Sequence, residues 1–174
     1  LSITLTVILL AGSLHLFAEE TKYNDSWGKA GYTVESQDGS KVIINYSIKE
    51  FSLSTKEVNG EAMQNIELPG NFLPNDAGAP NLPGSGSYIA LPQGAEVTYN
   101  IVAYRSETFT NVNVAPAFRI PWANEDGDLE YIKDESIYSA NKFYPEQPIL
   151  LSEKSQVRGI DVVMLGITPF HYNP

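Results

Sequence analysis

The sequence predicts an all-β fold, an antiparallel β-sandwich with long Pro/Gly-rich and acidic loops. Three observations carry this. From Tyr32 onward, β-branched and aromatic residues are cut by turn residues at the spacing of about ten positions that short strands adopt. Val42, Ile44, Tyr46 and Ile48 alternate with Ile43, Asn45, Ser47 and Lys49, a period of two with one face buried. No window shows a helical period beyond one turn near Ser136 to Ala140. Short strands separated by frequent turns pack as two sheets.

The chain has 174 residues, with Lys+Arg 11 against Asp+Glu 21 and a formal net charge of −10. This length suits one domain. With 43% hydrophobic and 18% charged residues, the chain is apolar enough to bury a core and too apolar for a disordered acidic tail. An acidic fold without a basic patch repels phosphate backbones, which excludes nucleic acid as a partner. Cys is 0, so disulfides, thiolate metal sites and a cysteine nucleophile are absent from this sequence.

Residues 1–18 contain no Lys, Arg, Asp or Glu, and Glu19-Glu20 end the apolar run abruptly. An apolar centre closing on the small residue Ala18 matches the latter part of a secretory signal, whose basic start lies outside this sequence. A single membrane anchor is the competing reading, but the residues that follow are acidic rather than basic. The folded domain is then expected over 19–174, exported and with no membrane contact once the signal is removed.

Asp38-Gly39 separates Tyr32-Thr33-Val34-Glu35 from the run Lys41 to Lys49 and predicts a hairpin. Phe51 and Leu53 carry the apolar set on odd numbers, which predicts a bulge or bend near Glu50. Residues 69–86 hold Pro69, Pro74, Pro80 and Pro83 with Gly70, Gly78, Gly84 and Gly86. An ordered extended crossing is expected there, presenting Pro80 and Pro83 and anchored by Leu82, Tyr88, Ile89 and Leu91. Val97, Tyr99, Ile101 and Ala103 repeat the strand pattern, and Val112 and Val114 begin a short strand. Pro116 to Pro148 has little strand pattern, and such long excursions tend to be functional. Val157 to Ile167 reads as one long strand, apolar on both faces.

Chemistry-bearing motifs are few. His171 is the only His outside the first eighteen residues, so a two-His metal site or His relay cannot be built; beside Phe170 and Tyr172 it reads as structural. The sequence has no Gly-x-Ser-x-Gly, phosphate loop or dinucleotide fingerprint. Asn124, Asp126, Asp128 and Glu130 space oxygen donors around Gly127. This is a calcium candidate without the EF-hand order, or else a solvated acidic turn.

The order of elements resembles the N-terminal propeptide of gingipain-like cysteine endopeptidases. The matching residues are Gly78-Ala79-Pro80-Asn81-Leu82-Pro83, Ser87-Tyr88-Ile89-Ala90-Leu91-Pro92, Gly94-Ala95 and Val114-Ala115-Pro116. They continue with Tyr138, Lys142-Phe143-Tyr144-Pro145, Leu151-Ser152, Arg158-Gly159, Val162-Val163 and Pro169 to Pro174. The likeness covers 60–174; residues 19–59 agree in texture only. It implies a segment without catalytic residues that assists folding of a secreted cysteine protease, covers its cleft and is later removed; 19–174 is then a C-terminally incomplete propeptide domain, with further propeptide strands and then the catalytic domain expected beyond residue 174. The partner implied is the cognate protease domain of the same precursor. In arginine-specific members, a propeptide arginine enters the specificity pocket. Anchoring an ungapped alignment at Ala115-Pro116 and at Lys142 to Pro145 puts that position at Ala123, while the only arginine of 117–135 is Arg119, flanked by Phe118 and Ile120. Either the loop is shifted and Arg119 plugs the pocket, or the parent enzyme does not prefer arginine. Lys133 and Arg105 are the other basic candidates. The competing functions are a stand-alone secreted β-sandwich that binds a surface protein or glycan, and a hydrolase built from two of the carboxylates.

Overall fold

In the computed structural model, which describes residues 18–23, 30–71, 75–125 and 127–174, the Asp38-Gly39 hairpin forms as expected. β1 (Glu19–Lys22) comes first, then β2 (Gly31–Gln37) and β3 (Val42–Ser47), which pair antiparallel. Asp38 closes their turn. Its Oδ1 accepts from the backbone N–H groups of Ser40 and Lys41 at 2.8 Å each, the local bonding that makes Asp a turn residue. The period-two run does not bury a whole face, because Val42 is exposed and Ile44 and Tyr46 are half-buried. The hairpin is held instead by the Tyr32 hydroxyl, which donates to the Leu165 carbonyl at 3.2 Å.

The change of apolar phase near Glu50 is a change of sheet rather than a bulge. After Ser47 the chain leaves the two-stranded sheet and enters β4 (Glu50–Val58), the centre of a three-stranded sheet ordered β1-β4-β5. The register slip lies between Val34 and Ser36, in β2. β5 (Glu61–Glu67) follows a turn that the strand pattern leaves unmarked, Asn59-Gly60, with φ of 52° and 82°. Two successive left-handed residues match the twist of a tight hairpin, and Asn-Gly tolerates them best.

The four-stranded sheet contains β6 (Ser85–Ala90), β7 (Ile149–Leu151), β8 (Ser155–Val157) and β9 (Ile160–Ile167). The predicted single strand Val157–Ile167 is two strands, turned at Arg158 (φ 52°) and Gly159 (φ 80°). β9 is central, with β6 on one side and β7 and β8 on the other. Val162, Val163, Leu165, Gly166 and Ile167 are accordingly buried, since a central strand covered on both faces carries a nearly continuous apolar run.

Two predicted strands are absent. Val97 to Ala103 pairs with no described strand, and Val102 and Tyr104 are each 82% exposed. Val112 and Val114 form no strand either; Val114 makes a single parallel bridge to Gln64. The predicted helical turn is present as α1 (Glu135–Tyr138), capped by Asp134, which accepts from the Ser136 N–H at 2.9 Å. Among the described residues no helix is long and apolar enough to cross a membrane. The predicted signal segment lies outside them, apart from Ala18.

The core lies on both faces of the three-stranded sheet, because the register places Phe51 and Ile66 on one face and Val58 and Met63 on the other. Phe51, Ile66 and Leu68 pack with Leu82, Val114 and Tyr172; Val58 and Met63 pack with Ala115. The cover is therefore built largely from non-strand backbone, and burying it requires that its N–H and C=O groups be satisfied. They are. Gln64 N–H donates to Asn113 O at 2.7 Å, Ala115 N–H to Gln64 O at 2.8 Å, and Asn81 N–H to Ala115 O at 2.9 Å. Of the Pro/Gly crossing, residues 69–71 and 75–86 are described, and they do not present Pro80, which is fully buried and bridges Pro116. Tyr88 is exposed rather than an anchor, whereas Leu82 is buried and Ile89 and Leu91 are half-buried against β9.

Candidate functional site

The long excursion after Pro116 leaves this cover and returns to it at one place. Ala117 N–H donates to Ala79 O at 2.7 Å and Gly78 N–H to Ala117 O at 2.9 Å; on the return, Asp134 N–H donates to Gly78 O at 2.9 Å. The Gly78–Ala79 backbone thus clasps both ends of the loop. Glycine is required at 78: its φ is +88°, and a Cβ would stand 2.8 Å from the Ile132 carbonyl oxygen.

Above this root the two legs run antiparallel. Arg119 N–H donates to Glu130 O at 2.8 Å, and the two residues form an isolated bridge. Phe118 and Tyr131 stand edge to face with centroids 5.8 Å apart. The returning leg is fastened to the β4–β5 hairpin: Asn59 Nδ2 donates to Tyr131 O at 2.7 Å, and Lys56 Nζ donates to the Tyr131 hydroxyl. Lys133 Nζ pairs with Glu61 Oε2 at 2.6 Å, and that ammonium holds the Glu61 carboxyl below its ordinary range, with Asn113 adding to the effect.

At the tip, Arg119 Nε donates to Glu130 Oε2 at 2.8 Å and Nη1 to Glu125 Oε2 at 2.9 Å. The same Glu125 oxygen accepts from the Trp122 N–H at 3.0 Å, while Glu125 N–H donates to Trp122 O at 2.8 Å. The Trp122 N–H and then Arg119 hold the Glu125 carboxyl below its usual range; Arg119 does the same for Glu130. Both carboxylates raise the guanidinium pKa in turn, Glu130 more than Glu125.

The structure thus brings Arg119 together with Glu125 and Glu130, not with Lys133, which is tied to Glu61, nor with Arg105, which lies in the exposed run 101–110. Ala123 and Asn124 sit exposed in the turn between Trp122 and Glu125. Of the calcium candidates, Asp126 lies outside the described residues, and Glu130 directs one oxygen at Arg119 rather than at a shared centre. Among the described residues no group of three or more His, Cys, Asp or Glu could hold a metal ion.

Sequence reasoning named Arg119, Phe118 and Ile120 and missed Trp122, Leu129 and Ile132. All five apolar side chains of this set are exposed, Trp122 at 73%. Their signal was available: a loop that carries large apolar residues between charged ones, without strand period, presents them rather than burying them. A run of exposed apolar side chains on an ordered loop is the composition of an interaction surface.

A family model described as Propeptide_C25 matches residues 30–174. Lys-gingipain of Porphyromonas gingivalis is 19% identical over 176 residues, covering 96% of this chain and 10% of that protein. Gingipain R1 of the same organism is 28% identical over 101 residues, covering 58% of this chain and 10% of that protein. The chain thus spans about a tenth of the length of the curated relatives it matches. Among solved structures, a complex of Porphyromonas gingivalis RgpB pro- and mature domains matches with a TM-score of 0.74 at 17% identity, covering 82% of this chain and 75% of that one. A structure described as showing zymogenic latency of gingipain K matches with a TM-score of 0.75 at 17% identity, covering 90% and 88%. Both matches have the same all-β fold.

Proposed function

The chain belongs to the Propeptide_C25 family, and from that premise we propose that it keeps a gingipain-like cysteine endopeptidase latent by lying across its active-site cleft, and that it assists that enzyme's folding. The chain itself is a pro-domain; the proteolysis belongs to the parent protein. The observation that carries the reading is the 118–133 excursion. A loop clasped at Gly78–Ala79, laced across its legs and apolar on its exposed side is preorganised, so docking it costs little conformational entropy. An occluding segment needs that rigidity, because a flexible one entering a protease cleft is cut. The gingipain pro-domain structures with the same fold, described as a pro- and mature-domain complex and as zymogenic latency, support the partner.

The relatives include both a Lys-gingipain and a gingipain R1, so they leave the pocket preference of the parent enzyme open. For Arg119 itself to fill a specificity pocket, it must first leave Glu125 and Glu130. Export belongs to the same reading: the apolar segment 1–18 directs the precursor out of the cell, where the protease would act.

The test is inhibition in trans. Added at micromolar concentration to the mature protease from the same gene, this chain is expected to block peptide hydrolysis reversibly. An interface of about 1,600 Å² is compatible with anything from micromolar to picomolar binding, so the affinity is left to measurement. No inhibition at micromolar chain overturns the latency reading. A gene whose downstream sequence encodes no catalytic His and Cys favours the stand-alone binding module instead.

A further inference from the structure

Resting on that reading, we propose that Trp122, not Arg119, is the side chain that anchors in the protease cleft, and that Arg119 is a positioning residue that holds the tip in its docking shape. The two side chains differ in what they have left to offer a partner. Arg119 is engaged three times over: by backbone bridging to Glu130, through Nε to the Glu130 carboxylate and through Nη1 to Glu125. Filling a pocket would require breaking both charge-assisted bonds and unlacing the legs, and a pocket carboxylate would only replace what is already made.

Trp122 is in the opposite condition. Its backbone is fixed at both ends of the peptide, N–H to Glu125 Oε2 and C=O from Glu125 N–H. Its indole is 73% exposed. A fixed backbone carrying a free aromatic side chain is the arrangement that docking rewards, since a Trp buries about 150–250 Å² and its backbone ordering has been spent beforehand. The two residues are linked by one atom. Glu125 Oε2 accepts from the guanidinium and from the Trp122 N–H together, so Arg119 sets the position of Trp122 through Glu125.

The surroundings identify the occupant's surface. Ile120 and Leu129 are exposed beside the tip, while Glu125, Asp128 and Glu130 outnumber Arg119 around it. An apolar anchor within a net acidic rim fits an apolar pocket bordered by basic groups. The occupant is the mature protease domain of the same precursor, and the pocket is one wall of its cleft. Opposed charge would also steer the encounter at low salt.

The experiment compares variants of this chain as inhibitors in trans, each checked for an unchanged far-ultraviolet spectrum and thermal midpoint. Trp122→Ala is expected to weaken inhibition by about 30-fold or more, the loss of a hot-spot aromatic. Arg119→Ala and the double variant Glu125→Gln/Glu130→Gln are each expected to weaken it about 3- to 10-fold. Combining the two should add little, because both remove the same support. Emission from Trp122, read in a Trp27→Phe background, should shift to shorter wavelength when an inactivated protease is added. Two results overturn the proposal: inhibition by Trp122→Ala equal to wild type, or full inhibition by Glu125→Gln/Glu130→Gln together with its loss in Arg119→Ala, which would make a released Arg119 the pocket residue. Failure of the wild-type chain to inhibit would sink the latency reading itself, a separate outcome.

Discussion

Two stretches of this chain invert the usual relation between pattern and order. Residues 97–104 have the alternation of a strand and pair with no described strand, leaving Val102 and Tyr104 in solvent. Residues 118–133 lack that alternation, yet they are laced by a backbone bridge, two ion pairs at the tip and three polar ties to the β4–β5 hairpin. Alternation states which face would be buried if a neighbour existed; it does not supply the neighbour. A polar loop is ordered by a different route, through side chains that bond its own backbone and through a clasp at its root.

That contrast can be broken most severely at the root. Leu82, three residues beyond the clasp, is 1% exposed and packs in the core. Leu82→Ala is expected to destabilise the domain by about 2–5 kcal/mol, the range for emptying a packed leucine site, read by urea denaturation. Loss of the excursion's protease resistance at the same urea concentration as global unfolding would show that the loop and the core are one unit.

A smaller effect isolates the clasp. Gly78→Ala combines a positive φ with a Cβ 2.8 Å from a backbone oxygen and is expected to cost about 1–3 kcal/mol. Hydrogen exchange should report it locally, with faster exchange at Ala117 and Asp134, whose N–H groups bond the 78–79 carbonyls, and little change in β6 and β9. Uniform acceleration would mean that the clasp is not a separable element.

Acid should loosen the tip before it unfolds the sheets. The carboxyls of Glu125, Glu130 and Glu61 all titrate below their ordinary values. Groups of that kind contribute stability that is present above the unfolded pKa of about 4.3 and is lost as pH falls through the folded value. Trp122 anisotropy, in a chain where Trp27 is replaced by Phe, is expected to fall below about pH 4 while the β-sheet spectrum persists. Anisotropy that changes only with global unfolding would contradict the role given to these pairs.

The smallest effect belongs to the other stretch. Val102→Thr removes no buried surface and is expected to change stability by less than about 0.5 kcal/mol. A larger loss would mean that 97–104 is covered in solution, and the contrast between the two stretches would dissolve.

Much was determined by the sequence alone. The all-β class follows from β-branched and aromatic runs between turn residues. The Asp38-Gly39 hairpin and the Asp134-capped turn follow from side chains that bond backbone two and three positions away, and such local bonds are legible in any context. The apolar run of β9 also announced its burial. What only the tertiary structure decided has one physical reason in common, which is that it depends on partners distant in sequence. The phase change at Glu50 became a move between sheets; Val114 became a single bridge within the cover rather than a strand; Pro80 turned inward against Pro116. Arg119 was visible as a lone cation in an acidic tract, but its use was set by Glu125 and Glu130 closing on it across the tip. Trp122 carried no motif at all. Its exposure is a consequence of the Gly78–Ala79 clasp, which lies more than forty residues earlier in the chain and meets the excursion only once the chain has folded.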